Sequence, residues 1–127
     1  MAALGLVGTR FRFHGDDPAT GLDCAGLVAA AYRAAGYAVP MLPTYRIRDM
    51  DVEAVARLLT GMGLERVADA AGGDVLLCRV AVRQPHLMIA GPDGCVHAHA
   101  GLRRVVLMPG DCPAGERWRL VTMEGQG

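Results

Sequence analysis

Apolar side chains recur at helical spacing in two stretches of the first half of the chain. The first stretch begins after Asp23, a suitable N-cap, and ends at Gly36. Its apolar members fall on one helical face, at i, i+3, i+4, i+7 and i+11: Cys24, Leu27, Val28, Ala31 and Ala35. The second stretch begins near Asp49 or Asp51 and stops at residues 61–63, with Val52, Val55, Ala56, Leu59 and Met62 on one face. The pattern predicts two amphipathic helices.

After Gly72 and Gly73 the period of the pattern changes from 3.6 to 2, which is typical of strands. The segment Pro92-Asp93-Gly94 is a strong turn signal between two of them. The predicted strands cover residues 74–80, 86–91, 95–100, 104–108 and 117–122. Helices followed by an antiparallel sheet indicate an α+β fold. We expect a single domain that covers residues 1–127, since this length supports one core.

Charge excludes some partners. The chain has no lysine and 13 scattered arginines, balanced by 13 acidic residues, so it lacks the basic stripe that nucleic acid requires. The apolar start, residues 1–8, has no charged n-region and is too short to span a membrane. We therefore expect no nucleic-acid or membrane partner, and a chain that is cytoplasmic as synthesised.

The four cysteines show no tight pairing, and without a secretion signal they are expected to be reduced thiols. One set, Cys95, His97 and His99, would place three candidate zinc ligands on one face of a strand. Structural zinc sites usually draw ligands in pairs such as C-x₂₋₄-C, and the chain has none. We expect neither a metal nor another cofactor.

Cys24 is the candidate nucleophile. If Asp23 caps the helix, Cys24 occupies the first helical position, where unpaired N–H groups and the helix dipole favour an anion. Thiol pKa values fall at such positions, so we expect a reactive thiolate. The alternative is a small buried cysteine at a helix start.

Three histidines in the second half of the chain are candidates for the base. If residues 91–94 form a four-residue loop, with Ala90 opposite Cys95, then His86 lies opposite His99, and His97 lies on the diagonal. A three-residue loop with a bulge would separate them. The alternative is a set of surface histidines on an exposed sheet face. His14 is expected in a loop, without a catalytic part.

Five short motifs, in order, resemble those of the NlpC-type cell-wall peptidases, which are papain-like cysteine enzymes, and in particular their short phage-associated branch. Residues 8–15 resemble the lead-in G-T-P-Y-R-W-G-G, and residues 21–28 resemble the nucleophile motif G-F-D-C-S-G-L-V. Residues 73–76, 86–89 and 96–98 resemble, respectively, the G-D-L strand start, the H-V-G-I that carries the base and the I-H-A that carries the third residue.

The resemblance implies a papain-like fold in which the cysteine-bearing helix packs on a central antiparallel sheet. It implies that Cys24 attacks an amide carbonyl, that His86 is the general base and then the acid, and that His97 orients His86. The substrate would be the peptide stem of peptidoglycan, and phage tail proteins would be partners that deliver the domain to the wall. The implied substrate or oxyanion region contains Phe11, Asp23 and Ala25.

The chain departs from the family pattern at three places. Phe11 replaces a tyrosine whose hydroxyl lies near the nucleophile, and Ala25 replaces a serine. The span from His86 to His97 is one residue shorter than usual, which leaves His99 as a rival for the third position. Two other functions stay open: a non-catalytic module of a phage tail, and an amidase or acyltransferase that acts on another acyl group.

Overall fold

The computed structural model describes residues 2–13, 15–39, 50–69, 71–81, 84–113 and 115–120. Within these residues, a 3₁₀ turn at Ala2–Leu6 precedes two helices and eight strands. The helices are α1 (Cys24–Ala34) and α2 (Val52–Gly61). The strands are β1 (Asp16–Asp17), β2 (Gly21–Leu22), β3 (Leu64–Val67), β4 (Val75–Ala81), β5 (Gln84–Ala90), β6 (Gly94–His99), β7 (Arg104–Pro109) and β8 (Glu116–Leu120).

Six strands form one antiparallel sheet in the order β3-β8-β4-β5-β6-β7, and β1 and β2 form a separate two-stranded ribbon. Helix α1 packs on β5 and β6, so the helix that carries Cys24 lies against the middle of the sheet. The predicted α+β architecture, with a cysteine-bearing helix on an antiparallel sheet, is confirmed.

Local sequence signals explain most of the elements. Asp23 and Asp51 cap the two helices, and each side chain accepts a hydrogen bond from the N–H three residues later, at 2.7 Å and 2.8 Å. The strand predictions agree with β4 to β8 to within about two residues at the described ends. The ribbon and β3 were not predicted, because such short segments carry too little alternation.

The sheet has a different hydrophobic cluster on each face. Leu87 and Ile89 of β5 and Val96 and Ala98 of β6 join the cluster that includes α1. Met88 and Cys95 join a smaller cluster with Leu76 and Cys78. Because side chains alternate along a strand, His86 and His97 belong to the face of this smaller cluster. Among the described residues no helix is long and apolar enough to cross a membrane.

A buried carboxylate joins the C-terminal strand to the start of β4. Asp74 is 1% exposed and accepts hydrogen bonds from Arg119 Nε at 2.7 Å, from Arg117 Nε at 3.2 Å and from Ala71 N at 2.9 Å. Burial alone would raise the pKa of Asp74, but the Arg119, Ala71 and Arg117 hydrogen bonds outweigh it, and the pKa is lowered. The network fixes β8 next to β4.

The expectation that all four cysteines are reduced is wrong for two of them. Cys95 and Cys112 form a disulfide with a Cα–Cα distance of 5.6 Å, while Cys24 and Cys78 are free and buried. Strand β7 returns along β6, and the turn after it, with Gly110 N donating to Asp93 O, brings Cys112 back to Cys95. Sequence spacing hides this, because the 17-residue separation spans a hairpin.

We expect Asp74→Asn to lower the free energy of unfolding at pH 7 by about 1.5–3 kcal/mol, since charge-assisted hydrogen bonds contribute that much. The folded-state pKa is lowered, so the stabilisation is present above the unfolded pKa of about 3.9 and is lost as the pH falls through the folded pKa. Urea unfolding between pH 7 and pH 2 measures both effects.

The control is Asp69→Asn. The exposed carboxylate of Asp69 also pairs with Arg119, at 3.6 Å, and its removal should lower the free energy of unfolding by less than about 1 kcal/mol. Equal effects of the two variants would contradict the network.

We expect Cys112→Ser to lower the free energy of unfolding by about 3 kcal/mol, because a crosslink of this loop length restricts the unfolded chain by that amount. Denaturant titration of oxidised wild type and Cys112→Ser measures the change. Reductant should lower the stability of wild type to that of the variant and leave the variant unchanged. A thiol count of four in the unreduced, denatured protein would show that the bond is absent.

Candidate active site

The nucleophile motif folds as the start of α1. Asp23 adopts an extended backbone conformation and caps the helix, so Cys24 is the first helical residue, as predicted. Gly21 precedes it with φ of +136°, and a Cβ there would lie 2.6 Å from the Cβ of Arg12. Glycine is therefore needed where the lead-in segment, residues 9–13, crosses the motif.

The other residues of the implied oxyanion region surround this helix start. Phe11 forms a bridge with Leu22 and packs against the core as a half-buried side chain. Ala25 is fully buried, and its backbone N–H acts to lower the pKa of Cys24. His14 lies outside the described residues. Cys95 is disulfide-bonded, which removes the thiolate from the zinc-ligand set considered above.

Cys24 is a neutral thiol in this structure, so the expectation of a lowered pKa is wrong. Burial, followed by the Asp23 carboxylate, raises the pKa of Cys24 to about 12, although the N–H groups of Leu87, Ala25 and Cys24 act in the opposite direction. The side chain is only 6% exposed. The N-terminal end of the helix favours an anion, but desolvation in the core has the larger effect.

The Leu87 N–H lies where β5 and β6 separate. Among the described residues two pairs join these strands, Ile89 with Val96 and Ala90 with Cys95. Ala90 N donates to Asp74 O on the β4 side, so the N–H of Leu87, an odd number of residues away, points toward β6, where pairing has ended. This N–H is one of the donors that lower the pKa of Cys24. The sequence gives no signal for it, because a backbone N–H is present whatever the residue type, proline excepted.

His86 and His97 form a direct contact. His86 Nε2 lies 3.1 Å from His97 Nδ1, and the two rings are nearly perpendicular with centroids 5.2 Å apart. The register, with Ala90 opposite Cys95, is that of the four-residue loop. The β5–β6 pairing does not extend to His86 and His99, and the diagonal neighbour His97 makes the contact, as the motif predicted.

His99 has a different partner. Its Nδ1 accepts a hydrogen bond from Leu102 N at 3.0 Å, and its ring centroid lies 5.5 Å from that of His97.

Burial lowers the pKa of His86 to about 4, with smaller electrostatic contributions from His97 and His99. Burial and His99 also lower the pKa of His97. Both rings of the contacting pair are thus neutral at pH 7.

The thiol and the histidine pair are connected through β5. The backbone N–H of Leu87 lowers the pKa of Cys24, and His86 is the residue that precedes Leu87. No hydrogen bond joins the Cys24 thiol to the His86 ring among the side chains that the structure describes. The site therefore has a positioned imidazole pair, a buried thiol and backbone N–H donors, and it is in its neutral state.

Solved structures share this fold at low sequence identity. The P60 domain of an antigen from M. avium subspecies paratuberculosis matches with a TM-score of 0.63 at 16% identity, covering 95% of this chain and 90% of that one. The NlpC/p60 domain of the peptidoglycan hydrolase SagA matches with a TM-score of 0.55 at 22% identity, covering 85% and 83%. The chain therefore has an NlpC/p60-like fold.

A further match is RipD from Mycobacterium tuberculosis, described as a non-catalytic NlpC/p60 domain protein adapted to peptidoglycan binding. Its TM-score is 0.57 at 17% identity, and the match covers 95% of this chain and 92% of RipD. No protein-family model matches the sequence, and no curated protein matches it. The same fold thus serves both a hydrolase and a protein without catalysis.

We expect Cys24 in the free protein to react with iodoacetamide at pH 7 more slowly than an unperturbed thiol, because a pKa of about 12 and burial leave little accessible thiolate. Mass spectrometry of alkylated peptides over pH 6–10 measures the rate. Cys24→Ser assigns the signal, and the rate in urea gives the unperturbed reference. Rapid alkylation at pH 6–7 in the folded protein would instead show a preformed thiolate.

Proposed function

We propose that this NlpC/p60-like domain is a thiol hydrolase that cleaves amide bonds in the peptide stems of peptidoglycan. The observation that carries the proposal is the 3.1 Å contact between His86 Nε2 and His97 Nδ1. His86 lies on β5 directly before Leu87, whose N–H lowers the pKa of Cys24. A thiol, a base and a group that orients the base are the parts that nucleophilic catalysis needs.

The His86–His97 contact fixes how a proton can move. If His86 Nε2 carries hydrogen and donates to His97 Nδ1, then His86 Nδ1 is left as the acceptor for the thiol proton. The sulfur attacks the amide carbonyl while His86 takes that proton, and His86 returns it to the leaving amine. Water then cleaves the thioester, which releases the acid and restores the thiol.

In the resting state of this site both the Cys24 thiol and the His86 imidazole are neutral. Cys24 with a pKa of about 12 and His86 with a pKa of about 4 do not form a stable ion pair at pH 7. Deprotonation must therefore accompany attack, with the substrate as the acceptor of the sulfur electrons. The N–H groups of Cys24 and Ala25 at the start of α1 would stabilise the negative charge that develops on the carbonyl oxygen.

A second candidate function is peptidoglycan binding without cleavage. The raised thiol pKa and the lack of a described Cys24–His86 hydrogen bond favour it, and RipD shows that the fold accommodates such a role. Delivery with a phage tail is a further proposal that rests on the motif resemblance alone. Mass spectrometry of purified phage particles tests this association, which requires the chain to be present in them.

We expect His86→Ala to reduce cleavage of purified muropeptides by about 10²–10⁴, because a positioned acid–base group contributes that factor. Cys24→Ala should abolish cleavage, and His97→Asn should retain more activity than His97→Ala, because an amide can still accept from His86. His14→Ala is the matched control and should be close to wild type. Wild-type activity should fall as the pH drops through about 4, where His86 becomes protonated.

Chromatography of the digests and a muropeptide binding assay distinguish the two functions. Binding by wild type with no cleavage product under any condition would establish the second candidate. Full activity in His86→Ala would exclude His86 as the base in the first.

A further inference from the structure

Two arginines lie directly opposite each other next to β6, the strand that carries His97 and His99. Arg10 and Arg104 form an antiparallel bridge, flanked by Phe11 N donating to Arg103 O at 2.9 Å and Val105 N donating to Thr9 O at 2.8 Å. This pattern makes them a non-hydrogen-bonded pair, in which side chains project from the same face and come closest. Both side chains are exposed.

The same face carries the histidines. Arg104 is also the cross-strand partner of His99 in the β6–β7 ladder, and Val105, which follows it, joins the cluster on the α1 side of the sheet. Arg104 therefore projects from the face of His97 and His99. Arg10, Arg104 and His99 form a lateral row, which we call the cationic row, beside the His86–His97 contact.

The cationic row lacks charge compensation. Among the described residues no aspartate or glutamate forms an ion pair with Arg10 or Arg104, and the one hydrogen bond of the Arg104 guanidinium is a long one, 3.5 Å, to Gly8 O. Like charges directly opposite each other on a sheet are destabilising. His99 accepts from Leu102 N through Nδ1, which leaves Nε2 as the ring nitrogen that donates. The row offers only donors.

We propose that the cationic row binds free carboxylates of the peptide stem that is held at Cys24. The inference rests on the proposed function and adds a substrate feature to it. The stem must carry a carboxylate far enough from the scissile amide to contact Arg10 and Arg104 while the amide lies at Cys24. Guanidinium groups bind carboxylates through paired N–H donors, which relieves the repulsion between the two arginines. In the lead-in motif that residues 8–15 resemble, proline takes the place of Arg10, so the row is a feature of this chain.

The experiment uses Cys24→Ala, so that binding is measured without cleavage. Fluorescence anisotropy compares a dye-labelled stem peptide with free carboxylates, the same peptide with carboxamides, and a labelled glycerol-phosphate oligomer. The test variant adds Arg10→Gln and Arg104→Gln, and the control adds Arg57→Gln and Arg66→Gln, two exposed arginines on α2 and β3. Thermal unfolding checks that all variants fold.

We expect the Arg10/Arg104 variant to weaken binding of the carboxylate peptide about tenfold, with less than a twofold change in the control. The carboxamide peptide should bind weakly to all of them. Added salt should weaken carboxylate binding in the control and have little effect in the test variant, because the charges are exposed. Equal affinities in test and control variants would overturn the proposal, and a preference for the glycerol-phosphate oligomer would overturn the assignment to peptide carboxylates.

Failure of this inference is distinguishable from failure of the hydrolase proposal. Loss of binding in the Arg10/Arg104 variant, together with no cleavage by wild type, would leave the cationic row intact and remove the catalytic role. Cleavage by wild type, with an unchanged KM when both arginines are replaced by glutamine, would support the hydrolase proposal and overturn the role of the cationic row.

Discussion

A buried backbone N–H that points toward a neighbouring strand needs an acceptor there, and among the described residues β5 meets β6 over two pairs, Ile89 with Val96 and Ala90 with Cys95. Beyond these pairs the ladder ends, and the Leu87 N–H, which points to the β6 side, lowers the pKa of Cys24 instead. The relation between the thiol, this N–H and His86 depends on that separation. Longer pairing would place β6 against Leu87 and take up this N–H.

The same burial that positions the thiol also keeps it neutral. Removal from water disfavours the thiolate more strongly than the helix start and three N–H groups favour it. His86 and His97 are affected in the same direction, since burial and mutual repulsion keep imidazoles neutral. The geometry of the site is thus in place while its thiol and its two imidazoles are neutral, and the proposed hydrolysis requires charge separation to occur when a carbonyl is attacked.

Local patterns predicted the elements that have local causes. Asp23 and Asp51 mark the helix starts, and alternation after Gly73 marks the longer strands. The motif resemblance predicted the contact between His86 and His97, whereas the hairpin register alone favoured His99. The thiol pKa and the Cys95–Cys112 bond could not be predicted, because both depend on which distant segments surround a residue after folding. The opposed pair Arg10 and Arg104 is equally invisible in sequence, since 94 positions separate its members.

The position of β8 has a consequence for how the chain reaches its native state. The last described strand lies between β3 and β4, and it carries both arginines that bind the Asp74 carboxylate. A nascent chain therefore cannot join β3 to the rest of the sheet until β8 has left the ribosome. Each residue of β3 pairs with a residue that lies 50 to 56 positions later in the chain, and pairing over such separations slows folding. The β3 edge of the sheet is thus completed only after the strands that carry His86 and His97 have been synthesised.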